Sequence, residues 1–102
     1  TATRAQGVIT IDAGAVEALC KRGSSLLPRG ISAVEGEFLR GAMVELRDPD
    51  GHEVARGLTR YASEELRVIR GHHSEEIAAL LGFSRGAVAV HRDDLVLSPR
   101  EE

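Results

Sequence analysis

The sequence has no tryptophan, one tyrosine and two phenylalanines, so aromatics make up 3% of its 102 residues. That scarcity argues against the stacked aromatic platforms on which many proteins hold single-stranded bases. Cysteine is scarcer still. Cys20 stands alone, which excludes an internal disulfide and suits a reducing, cytoplasmic setting. No apolar run approaches the roughly 20 residues of a membrane-spanning helix, and no signal-peptide pattern opens the chain. An excess of basic charge is missing too. The formal net charge is -3, so no overall field draws the chain to nucleic acid, and any such site must be a local patch. What remains is ordinary: 42% hydrophobic and 28% charged residues, the make-up of one globular domain.

The stretch around which the chain is arranged is Gly23-Ser24-Ser25-Leu26-Leu27-Pro28-Arg29-Gly30-Ile31. Gly23 follows Lys21 and Arg22 and fits the left-handed position that closes a helix. Pro28 and Gly30 set a second change of direction. Leu26 and Leu27 are expected to tuck beneath the loop, leaving Ser24, Ser25 and Arg29 outside. A rigid loop with hydroxyls, backbone N–H groups and a guanidinium can grip a phosphate. It can equally be a plain connection, since cations in a last helical turn also answer the helix dipole.

Along the chain, residues 1–6 read as a linker or frayed end and 98–102 as a tail, leaving 7–97 as the domain. Residues 8–11 are β-branched and predict a strand. Asp12 has the character of an N-cap, and Ala15, Val16, Leu19 and Cys20 recur at helical spacing, which makes Cys20 a core or near-core thiol. Residues 31–34 predict a second strand, and Phe38 a core anchor. Residues 42–46 alternate, Asp48-Pro49-Asp50-Gly51 is a turn, and 52–58 return as a hairpin partner. Two short helices follow, each with a serine N-cap (Ser63, Ser74), two first-turn acids and a glycine stop (Gly71, Gly82). Residues 87–90 predict a strand, Asp93-Asp94 a turn and 95–97 a closing strand. With no alternating βα units, this order predicts a mixed α+β fold, a small barrel carrying short peripheral helices.

The residues that carry a family pattern are Ile11-Asp12-Ala13-Gly14-Ala15, the stretch from Gly23 to Ile31, Glu35-Gly36-Glu37-Phe38, Arg40-Gly41 and Ala55-Arg56-Gly57-Leu58. On these the chain resembles a PUA domain, the RNA-binding module named for pseudouridine synthases and archaeosine transglycosylases. Tyr61-Ala62-Ser63-Glu64-Glu65-Leu66, Leu80-Leu81-Gly82 and residues 90–97 narrow the resemblance to the PUA domains that end bacterial glutamate 5-kinases, enzymes of proline synthesis. The resemblance implies a PUA-like pseudo-β-barrel whose RNA-facing surface falls on Lys21, Arg22, Gly23, Ser24, Ser25, Arg29 and Gly30. Such relatives commonly carry lysine where this chain has Ser24, so one cation is missing from the loop. The resemblance further implies a noncatalytic regulatory or assembly module. Its partners would be the kinase domain of the same polypeptide, further copies of the enzyme, and weakly bound structured RNA, with no membrane. ATP and magnesium would belong to the kinase domain, and no cofactor to this chain. A stand-alone or tRNA-modification-type RNA-binding PUA domain is the alternative. Arg67 and Arg70 edge the short helices and are the expected docking face for that kinase domain or a second subunit.

Other patterns carry less. His91-Arg92-Asp93 spells the opening of a protein-kinase catalytic loop, but Ser98 stands where that loop needs asparagine. Residues 48–51 hint at a calcium loop, yet Leu46 and Gly57 occupy the positions of its first and last carboxylates. His72 and His73 are adjacent and cannot face one ion from the same side of a helix. No nucleophile, base and orienting group come together, so neither metal binding nor catalysis is expected.

Overall fold

The structure is a computed structural model and describes residues 4–99. Residues 1–3 of the expected linker and 100–102 of the expected tail lie outside it. The elements run β1 (Gly7–Ile11), α1 (Ala13–Arg22), a 3-10 turn (Pro28–Gly30), β2 (Ile31–Glu35), β3 (Met43–Arg47), β4 (Glu53–Thr59), α2 (Ser63–Ile69), a second 3-10 turn (Ser74–Glu76) leading into α3 (Ile77–Leu81), and β5 (Val90–Leu97). The strands form one sheet in the order β2-β1-β3-β4-β5. All neighbours are antiparallel except β1 and β3, which pair in parallel from Gly7↔Val44 to Thr10↔Arg47. No helix among the described residues is long and apolar enough to cross a membrane.

Alternation decides which side of each strand is buried. Ile9 and Ile11 of β1, Val44 and Leu46 of β3 and Ala55 of β4 are fully shielded, and they meet Leu19, Leu26, Tyr61, Leu66, Ile69, Ile77 and Val90 in a single core. Gly7 has a reason to be glycine: a Cβ there would lie 2.3 Å from the Phe38 ring, which packs across the start of β1 as expected of a core anchor. The β3–β4 hairpin turns at residues 48–51, where the Asp48 carboxylate accepts from the backbone N–H groups of Asp50 and His52, both at 2.9 Å.

Several expectations need correcting. Cys20 is exposed. The inward stripe of α1 is Leu19, supported by half-buried Ala15 and Val16, and one residue further the helix has rotated about 100° away. Of the two leucines in the long loop, Leu26 is buried and Leu27 is exposed. Neither serine caps its helix. Ala62 precedes α2, and its N–H is held by the Glu65 carboxylate at 2.9 Å. Ser63 lies inside the first turn, fully buried, where its hydroxyl accepts from the Phe38 N–H at 3.0 Å and faces the Phe38 carbonyl at 3.2 Å. Ser74 instead donates to the Ala87 carbonyl at 2.6 Å. A long-range backbone partner outcompetes the local one in both cases.

The strand expected at 87–90 and the turn at Asp93-Asp94 are also revised. β5 begins only at Val90 and continues through both aspartates. Its register against β4 jumps, however, from Thr59↔Val90 to Gly57↔Leu95, so residues 91–94 bulge opposite a single residue, Leu58. The polar tetrad bends the strand rather than ending it.

Candidate functional site

The loop between α1 and β2 is built from both ends inward. Asp12 caps α1 by accepting from the Ala15 N–H at 2.8 Å. At the other end Gly23 adopts φ 61° and ψ 32°, and the Ser24 N–H reaches back to the Ala18 carbonyl at 3.1 Å. This is the left-handed helix stop anticipated from Lys21-Arg22-Gly23. Leu26 then forms an isolated bridge to Val90: its N–H donates to the Val90 carbonyl at 2.8 Å, and its carbonyl accepts from the Ala89 N–H at 2.7 Å. The 3-10 turn follows, with the Gly30 carbonyl accepting from the Asp12 N–H at 2.9 Å and the Pro28 carbonyl from the Gly71 N–H at 2.9 Å. The loop is therefore rigid, anchored to β5, to α1 and to the end of α2.

Rigidity consumes much of what a phosphate would use. Ser25 Oγ accepts from the Arg92 N–H at 2.9 Å, so that hydroxyl ties the loop to the β5 bulge. Gly30 serves packing, because a Cβ there would approach the Ala15 Cβ to 2.7 Å. Lys21 lies 3.9 Å from Glu17 across one helical turn. The Ser24 hydroxyl, Arg22 and Arg29 make no side-chain hydrogen bond or ion pair among the described residues and stand at the surface. Arg29 lines a shallow groove of about 320 Å³ together with Leu27, His73, Ser74 and Glu75, so an acidic residue shares that groove. The backbone of Arg92, an exposed residue, adjoins the loop at Ser25; 67 positions separate the two, and no local signal links them.

Arg67 on α2 and Arg70 just past its end both turn back toward the sheet. Arg67 donates to the Gly36 carbonyl at 2.7 Å and pairs with Glu37 at 3.2 Å, while Arg70 donates to the Ser32 carbonyl at 2.7 Å. Both therefore fasten α2 to β2 and the turn after it. Asp48, Asp50 and His52 bring possible ligand atoms within 4.8 Å of one another, but Asp48 already holds the hairpin turn, and those backbone N–H bonds keep its carboxyl below the usual carboxylate range. Arg56 beside Glu53, and then Ser98, hold the Glu53 carboxyl low in the same way. The Asp93 N–H donates to His91 Nδ1 at 3.1 Å, so the kinase-like tripeptide is a local bulge contact.

A family model described as "PUA domain" matches residues 7–81. Glutamate 5-kinase of Deinococcus radiodurans is 59% identical over 93 residues, 91% of this chain and 26% of that protein. Glutamate 5-kinase of Sodalis glossinidius is 54% identical over 91 residues, 89% of this chain and 25% of that protein. The chain thus spans about a quarter of the length of the curated relatives it matches. Among solved structures, a PUA domain from Aeropyrum pernix K1 in a tartrate complex superposes with a TM-score of 0.62 at 26% identity, covering 84% of this chain and 41% of that one. A chain of an H/ACA ribonucleoprotein bound to a substrate RNA gives 0.63 at 22% identity, covering 94% and 25%. At that identity the second likeness speaks for the fold alone.

Proposed function

This chain belongs to the PUA domain family, and on that premise we propose that it is the noncatalytic C-terminal module of a bacterial glutamate 5-kinase, acting in assembly or regulation. The observation that carries the proposal is identity of 54 to 59% to such enzymes over nine-tenths of this chain. In this reading the rest of the polypeptide, in the cytoplasm, holds ATP, magnesium and glutamate and performs the phosphoryl transfer. This quarter supplies no reacting group. Removing it from the parent enzyme is expected to leave ATP-dependent phosphorylation of glutamate measurable while changing subunit assembly or feedback response. A folded remainder with unchanged assembly and unchanged feedback would overturn the proposal.

Weak RNA binding by the α1–β2 loop is the second reading, favoured by the rigid frame and by the exposed cations Arg22 and Arg29, with Arg92 adjoining the loop through its backbone. With Lys21 beside Glu17 and Ser25 engaged, about two to four phosphate contacts are expected, and hence a shallow dependence of affinity on salt. Arg29→Ala is expected to weaken binding to structured RNA more than Arg4→Ala, outside the loop. Equal losses would make the attraction nonspecific, and absence of binding at low salt would leave the loop structural.

A further inference from the structure

A second groove, of about 330 Å³, shares no residue with the one beside Arg29 and is lined by Arg40, Gly41, Leu58, Thr59, Arg60, Arg85 and Asp94. Three arginines and one aspartate line it, and Glu65 beside Arg85 is a second carboxylate close by. The groove is also held by backbone. The Gly41 N–H donates to the Thr59 carbonyl at 2.8 Å, the Thr59 N–H to the Ala42 carbonyl at 3.0 Å, and the Arg60 N–H to the Ala89 carbonyl at 2.8 Å. Arg85 is positioned from the far side, where its N–H donates to the Tyr61 hydroxyl at 2.8 Å and its guanidinium lies over the Phe83 ring at 4.8 Å.

The donors themselves are scarcely used. A guanidinium carries five N–H groups. Of these three, only Arg85 makes a side-chain hydrogen bond, to Glu65 at 3.4 Å. Arg60 reaches Asp94 only at 3.5 Å, beyond a normal charge-assisted hydrogen bond, and Arg40 has neither bond nor ion pair among the described residues. Guanidiniums placed around a small recess with unspent forks suit a compact oxyanion of high charge density, which can accept two parallel bonds from each.

We propose that this groove binds a small phosphomonoester dianion, held by Arg40, Arg60 and Arg85, with Asp94 opposing its charge. A nucleic-acid backbone offers the same oxygens but carries a single charge on each phosphate, and the recess is sized for a small ligand rather than a strand. The site is independent of the assembly and RNA readings above.

The test is a titration of the intact 102-residue chain with glycerol phosphate, followed by amide NMR shifts, beside the dinucleotide UpU as the backbone diester. Glycerol phosphate is expected to move the amides of Gly41, Thr59, Arg60 and Asp94 and to leave Gly23, Ser24 and Ser25 in place. Arg40→Ala removes a side chain with no partner, so the fold should stand, and affinity is expected to fall about fivefold, the effect of losing one charge-assisted contact. Asp94→Asn is expected to tighten binding about twofold, since it removes a like charge. Shifts spread over every exposed arginine, or an unchanged affinity in Arg40→Ala, would overturn the site. Binding of UpU at this groove without glycerol phosphate would overturn its assignment to a small ligand.

Discussion

At the scale of single residues, the most informative positions are those where size or charge admits no substitute. Gly30 has an ordinary backbone, so its requirement is steric: the Cβ of Gly30→Ala would press on Ala15 at 2.7 Å, and neither atom can swing aside. We expect a loss of about 1–3 kcal/mol in urea unfolding, the usual cost of overpacking. Adding Ala15→Gly should recover part of that despite glycine's cost within a helix, of about 1 kcal/mol. Full additivity would show that the two do not touch. Glu53 makes a different prediction. Arg56 beside it holds the folded-state carboxyl below its unfolded value, so its contribution is present above the ordinary carboxylate range and is lost as pH falls through the lowered value. The stability curves of the native chain and Glu53→Gln should therefore lie apart at neutral pH and converge below about pH 4, near where free glutamate titrates. Curves separated by the same gap at every pH would remove Glu53 as the cause.

At the scale of elements, the two short helices look alike in sequence and are seated differently. Ser63 is buried against the Phe38 backbone, whereas Ser74 is half-buried against a single carbonyl. Ser63→Ala should cost about 1–3 kcal/mol because it leaves a buried N–H unmet. Ser74→Ala should cost no more than about 1 kcal/mol, as for a partly solvated bond. Equal costs would mean that both act as ordinary helix caps. The contrast explains how much could be read from sequence. β1, the Asp12 cap, the Gly23 stop and the β3–β4 hairpin are local patterns, and their spacing was sufficient. Ser63 failed because its partner lies 25 residues away, and Ser25 because Arg92 lies further still. Cys20 failed by one residue of helical phase. The arginine groove has no local signature for the same reason as Ser63: Arg40, Arg60, Arg85 and Asp94 meet only once the sheet is assembled.

At the scale of the whole molecule, the sheet has two outer strands, β2 and β5, and they are protected unequally. α2 covers β2, with Arg67 and Arg70 occupying carbonyls at Gly36 and Ser32 that an approaching strand could otherwise use. β5 relies on its bulge and on the charges of residues 91–94, while Val96 and Leu97 remain exposed. The buried hydrophobic side chains among the described residues form one core, so heat or denaturant should unfold the chain in a single transition. A far-ultraviolet spectrum should show strand outweighing helix. Two separated transitions, with α2 and α3 melting first, would show that the helices are an accessory layer.

The bridge from Leu26 to Val90 sets an order of events during synthesis. The ribosome releases the loop well before Ala89 and Val90, which supply two of the backbone bonds that shape it. A chain arrested before Ala89 therefore has the loop's sequence without two of the bonds that shape it. Limited proteolysis of chains arrested before Ala89 should cut within residues 24–29, and the same segment should resist once Val90 has emerged. β5 thus completes the shape of a loop far upstream of it as it joins the sheet.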